Sequence, residues 1–126
     1  PDALTGDWSA RSGYELGRVL AADGAVTAVF CGNDQMALGL LRALFEAGRR
    51  IPNDVGVVGF DDVPEAAYMI PPLSTVKQDF TEMGRLSIDL FVRMIGDRKE
   101  RERGAEPVRI LLTPTLIPRE SSRTAA

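Results

Sequence analysis

The chain has 126 residues, enough for one domain built on a single core. Hydrophobic residues make up 44% and charged residues 26%, which excludes a disordered chain, and no apolar run nears the ~18 residues that a membrane-spanning helix needs. Lys and Arg number 15 against 18 Asp and Glu, a net charge of −3 without the basic footprint of a nucleic-acid-binding surface; the absence of histidine removes Ser-His-Asp and Cys-His nucleophiles and most zinc sites.

From Ser9 to Ala22, small and apolar residues recur at Ala10, Gly13, Tyr14, Gly17 and Leu20, the spacing of one helical face, with Ser9 as N-cap. Two glycines on that face predict close approach to a flat partner such as a sheet. Ala25 to Cys31 is a short apolar run without alternation, which predicts a strand covered on both faces in a parallel sheet, with the lone cysteine, Cys31, as a packing residue. With no second cysteine there is no intrachain disulfide, and a reducing compartment is compatible. Asn33 or Asp34 then caps a second helix that runs to Ala47 and closes at Gly48. Val55 to Phe60 is a second fully apolar strand. Helix, strand, helix, strand is the order of βαβ units, so the class is α/β with a parallel sheet. Asp61 to Pro72 reads as a loop with one helical turn, Ser74 to Lys77 as a short strand, and Phe80 to Ile95 as a third helix ended by Gly96. Asp97 to Glu106 is a charge run expected in a solvated loop. Val108 to Thr113 and Leu116 to Ile117 read as two short strands broken by Pro114, and Glu120 to Ala126 as a frayed tail. The chain opens on Pro1 with no charged-then-apolar leader, and is expected to be a piece of a longer one.

In open α/β sheets ligands sit beyond the carboxyl ends of the strands, which directs attention to Asn33, Asp34, Asp61 and Asp62. Asn33 and Asp34 also suit helix caps. Asp61 and Asp62 have no Lys or Arg within seven residues on either side, which favours a ligand role for Asp61 over a plain turn. A carboxylate accepts hydrogen bonds from vicinal hydroxyls, an amide both donates and accepts, and an indole offers a flat face to a sugar ring. Trp8, Asn33, Asp61 and Gln78 make that set, although Trp8 also suits a core or staple position and Gln78 an ordinary surface one. The second helix carries a core stripe at Met36, Ala37, Leu40, Leu41 and Leu44 and a second stripe at Leu38 and Phe45, so it must be covered on both sides, with a partner chain favoured for the second. No phosphate-binding loop or metal constellation is present, and no cofactor or catalytic residue is expected.

Five motifs in order, GDWSARSGY (Gly6 to Tyr14), NDQMALGLLRAL (Asn33 to Leu44), IPNDVGVVGFDD (Ile51 to Asp62), PPLSTVKQDF (Pro71 to Phe80) and PTLIPRES (Pro114 to Ser121), closely resemble the effector-binding region of the LacI/GalR family of bacterial transcription regulators. The resemblance implies a Rossmann-like lobe of a type I periplasmic-binding-protein-like fold, a fragment of a two-lobe domain. Residues 1–78 would be the C-terminal effector lobe, 79–106 a crossover helix and loop of the N-terminal lobe, and 107–126 the returning strands and tail. It implies Trp8 as stacking aromatic, Asn33 and Asp61 as sugar-hydroxyl partners, Gln78 as a contact or hinge, and Asp34 as structural. It further implies a homodimer through Leu38, Leu41, Phe45, Tyr68 and Met69, a sugar effector of galactoside type, operator DNA bound by a helix-turn-helix outside this chain, and a cytoplasmic, non-membrane, non-enzymatic protein. Effector binding would bias a two-state switch, which requires different affinities for the two states. Two other readings share the sequence features: a sugar receptor of a transport system, and an enzyme with Asp61 and Asp62 as its only candidate acids.

Overall fold

In a computed structural model, residues 3–96 and 108–122 are described. In chain order they form α1 (Ala10–Ala22), β1 (Ala28–Phe30), α2 (Asp34–Glu46), β2 (Gly56–Asp61), a 3-10 turn (Pro64–Tyr68), β3 (Ser74–Lys77), α3 (Phe80–Gly96), β4 (Thr115–Ile117) and a second 3-10 turn (Glu120–Ser122). The sheet runs β1-β2-β3-β4, with the first three strands parallel and β4 antiparallel to β3. The chain divides into two compact units, Pro1–Lys77 with Thr115–Ala126, and Gln78–Pro114. The expected α/β class with a mostly parallel sheet holds.

The first unit centres on Leu40, Leu44, Val55, Val57, Ala66 and Leu73, all buried. Helix α1 starts at Ser9, whose hydroxyl accepts from the Ser12 amide at 3.1 Å. Its glycines meet a helix rather than a sheet. A Cβ at Gly13 would lie 2.1 Å from the Met36 carbonyl oxygen, and one at Gly39 would lie 1.9 Å from that of Ala10, so the backbones of α1 and α2 touch. The carboxyl end of α1 is closed from outside: the Arg49 guanidinium donates to the carbonyls of Ala21 and Asp23, each at 3.1 Å, and of Val26 at 2.8 Å. Arg49→Ala orphans these acceptors and is expected to cost about 1–2 kcal/mol of stability in urea unfolding; an unchanged midpoint would count against the clamp.

Strand β1 is not covered on both faces as its composition predicts. Ala28 and Phe30, which share one face of the strand, are exposed, and among the described residues β1 pairs with β2 alone and forms the sheet edge. Cys31 is buried at its end, with the thiol pushed up to about 12 by desolvation. On α2, Leu38 is exposed and Phe45 is 73% exposed, as is Tyr68 at 85% on the first 3-10 turn. Leu41 and Met69, expected beside them in a partner interface, are instead only 4% and 7% exposed. Both belong to the unit's own core, Leu41 as the α2 periodicity at Leu40, Leu41 and Leu44 requires, and Met69 just after the first 3-10 turn.

In the second unit, α3 buries none of its residues within this chain and leaves Phe80, Ile88, Phe91, Val92 and Ile95 exposed. The strand expected at Val108 to Thr113 does not form. A strand needs a neighbour for its backbone groups, and among the described residues none pairs with it. Glu120 to Ser122, expected in a frayed tail, forms an ordered turn with Ser121 buried. The charge run 97–106 and residues 123–126 lie outside the described residues.

Candidate functional site

Two loops leave the carboxyl ends of adjacent parallel strands in the first unit. After β1 comes Gly32 and then Asn33, the N-cap of α2, whose side-chain oxygen accepts from the Met36 amide at 2.8 Å. Its Nδ2 donates to the Trp8 carbonyl at 2.9 Å, so one side chain joins α2 to the segment before α1. Trp8 lies in the left-handed region, φ 71°, with 66% of its surface exposed, which rules out the core and staple positions. Its benzo ring lies over Gly32, where a Cβ would come within 3.2 Å of Cζ3. The turn is braced from the other side by Asp7, which accepts from the Ser9 hydroxyl at 2.5 Å and the Ser9 amide at 3.0 Å. Hydrogen bonds from the Ser9 and Ser12 side chains hold the Asp7 carboxyl down at about 2.

The second loop follows β2, and both Asp61 (φ 113°) and Asp62 (φ 55°) have positive φ. Asp61 is the last residue of β2, in register with Lys77 of β3. The Asp62 amide donates to Thr75 Oγ1 at 3.3 Å, and Thr75 Oγ1 donates in turn to Asp34 Oδ1 at 2.6 Å. Asp34, the first residue of α2, is fully buried and takes the Val63 amide on Oδ2 at 2.9 Å. Burial raises its carboxyl above the ordinary value, the Thr75 and Val63 hydrogen bonds oppose this, and the charges of Asp61 and Asp62 add to the rise. A Cβ at position 59 would lie 2.2 Å from Asp34 Oδ1, so only glycine leaves room for this carboxylate behind β2. Asp34 is therefore a structural bolt between α2, β3 and the loop.

Trp8 and Asn33 thus meet at the end of β1, with Asp61 at the end of the neighbouring strand. Gln78 opens the second unit. Three residues that sequence reasoning left without a role lie around these candidates: Gly32 under the indole, Thr75 between the Asp62 amide and the Asp34 carboxylate, and Arg119, which donates to Asp62 Oδ1 at 2.7 Å. The arrangement offers a flat aromatic face, an amide and a carboxylate, a set suited to binding a polyhydroxylated ring.

The periplasmic-binding-protein-like domain profile matches residues 3–122. The lactose operon repressor of Escherichia coli (strain K12) is 39% identical over 113 residues, covering 89% of this chain and 31% of that protein. The ribose operon repressor of the same strain is 37% identical over 120 residues, 94% of this chain and 35% of that protein. A crystal structure of the Lac repressor dimer bound to operator and the anti-inducer ONPF superposes with a TM-score of 0.80 at 39% identity, covering 93% of this chain and 39% of that one. The chain thus spans about a third of the length of the curated relatives it matches. These relatives are repressors, not enzymes, and no described helix is long and apolar enough to cross a membrane. The chain belongs to the periplasmic-binding-protein-like domain family, in which it is an effector-binding region of LacI type.

Proposed function

We propose that this chain is the sugar-sensing and dimer-forming part of a cytoplasmic transcription repressor, and that its ligand is a galactoside or a related sugar. The observation that carries the reading is the exposed indole of Trp8, seated on Gly32, with the Trp8 backbone carbonyl held by Asn33 beside the strand that ends in Asp61. Trp8 stacks on the ring, Asn33 and Asp61 take its hydroxyls, and Gln78 serves as a contact or hinge. Residues 1–77 and 115–126 form the effector lobe, and 78–114 belong to the other lobe. Operator DNA is bound outside this chain, and the sugar acts by favouring one of two states of the whole protein. Similarity to operon repressors favours this reading over a transport receptor.

Titrating methyl β-D-galactoside and D-ribose into the full chain, with the emission of a Trp8→Phe variant subtracted, tests the reading. A saturable change in Trp8 fluorescence without chemical conversion of the sugar is expected, whereas a flat response to both sugars or turnover of either contradicts it. The dimer is tested separately. Leu38 and Phe45 present the exposed apolar face of α2, with Tyr68 exposed on the first 3-10 turn, and Leu38→Glu puts a charge into the proposed interface. Dimer affinity should fall by about 100-fold or more, giving monomers in sedimentation velocity; a retained dimer would remove this face from the interface.

A further inference from the structure

The chain that returns after β4 is fastened to the first unit at several points. Ser121 Oγ donates to the Val57 carbonyl at 2.6 Å and accepts from the Ser74 amide at 2.8 Å. Ser74 Oγ takes the Arg119 amide at 2.7 Å and donates to the Arg119 carbonyl at 2.9 Å, so the backbone of Arg119 is pinned from both sides. Its guanidinium then donates to the Leu73 carbonyl and to Asp62 Oδ1, each at 2.7 Å. The Arg119 and Asp62 side chains are only 20% and 12% exposed, which spares this pair much of the screening of a surface ion pair.

What this anchor holds is an unusual stretch of backbone. Two successive residues bearing a Cβ, Asp61 and Asp62, sit at positive φ, which persists only where the surroundings fix it. Asp62 also lies near the carboxylates of Asp34 and Asp61, and its other cation, Lys77, is 3.8 Å away on a side chain more than half exposed. Arg119 is the short, oriented contact that offsets this crowding of negative charge. It comes from 57 residues further along the chain, which is why the neighbourhood of Asp61 in the sequence shows no cation.

We propose that Arg119 is a positioning residue for the ligand contact at Asp61: by clamping Asp62 it fixes the backbone from which Asp61 meets the sugar, and it acts through Asp62 rather than on the ligand. The proposal rests on the reading of Asp61 as a sugar contact. Arg119→Met and Arg119→Lys in the full chain test it through two readouts, hydrogen exchange and calorimetry with methyl β-D-galactoside, with Asp61→Asn as reference. Arg119→Met should speed exchange of the Asp62 and Val63 amides about tenfold, leave the α1 and α2 amides unchanged, and weaken binding about tenfold, with partial recovery in Arg119→Lys. Unchanged exchange at Asp62 and Val63, or equal acceleration throughout the first unit, overturns it. If Asp61→Asn abolishes binding and Arg119→Met does not, the positioning role alone falls; if Asp61→Asn itself binds normally, the reading of Asp61 falls and takes the proposal with it.

Discussion

Asp61→Ala is expected to abolish sugar binding while leaving the fold in place. A carboxylate that accepts from two vicinal hydroxyls makes two charge-assisted hydrogen bonds, and their loss weakens affinity by roughly 100-fold or more. Stability is a separate matter, because alanine keeps the Cβ that strains a residue at positive φ and only glycine removes it. Asp61 has φ 113°, a conformation that glycine adopts without penalty, so Asp61→Gly is expected to keep or raise stability by about 1 kcal/mol while binding is lost as fully as in Asp61→Ala. Calorimetry and thermal unfolding on the same pair of variants separate the two effects. Retained affinity in either variant would remove Asp61 from the site.

The largest effect on folding is expected at Gly39, and there the sign decides. Alanine stabilises an ordinary helix interior by about 1 kcal/mol over glycine. At Gly39 the added Cβ would lie 1.9 Å from the Ala10 carbonyl oxygen and 2.5 Å from the Tyr14 nitrogen. Both are backbone atoms of α1 and cannot rotate aside, so the two helices must part and their shared core with them. Gly39→Ala should therefore lose roughly 3 kcal/mol, a large share of the 5–15 kcal/mol that holds a typical domain. Denaturant unfolding followed by circular dichroism measures it, and a stabilised variant would show that the helices do not touch there.

Helices α1, α2 and α3 fall within a residue or two of where periodicity and capping residues place them, since those signals are local. The parallel order of β1 to β3 follows from the alternation of strand and helix, but their burial does not: an apolar run such as Ala25 to Cys31 reads alike at the centre of a sheet and at its edge. The strand expected at Val108 to Thr113 failed for a related reason, as pairing belongs to two segments and only one could be read. Asn33 and Asp61 were legible as candidates because they follow strand ends, where such sheets gather ligands, and Trp8 because it is the one indole; the structure brings Trp8 to Asn33. Arg119 was not, because the residue it pairs with lies 57 positions away in the chain. Leu41 was assigned to an interface although its place in the i, i+3, i+4 stripe already pointed inward.

The clasp at Ser121 has a consequence for the order of events during synthesis. Its hydroxyl serves groups 47 and 64 residues upstream, and β4 closes the β3 edge only after the whole of α3 has been made. Contacts of such long range form late and slowly, because the intervening loop must first be closed. On the ribosome, β1 to β3 therefore emerge with the outer edge of β3 open, a template for strand pairing between nascent chains. The segment that fastens the loop after β2 is thus also the one that ends this aggregation-prone interval.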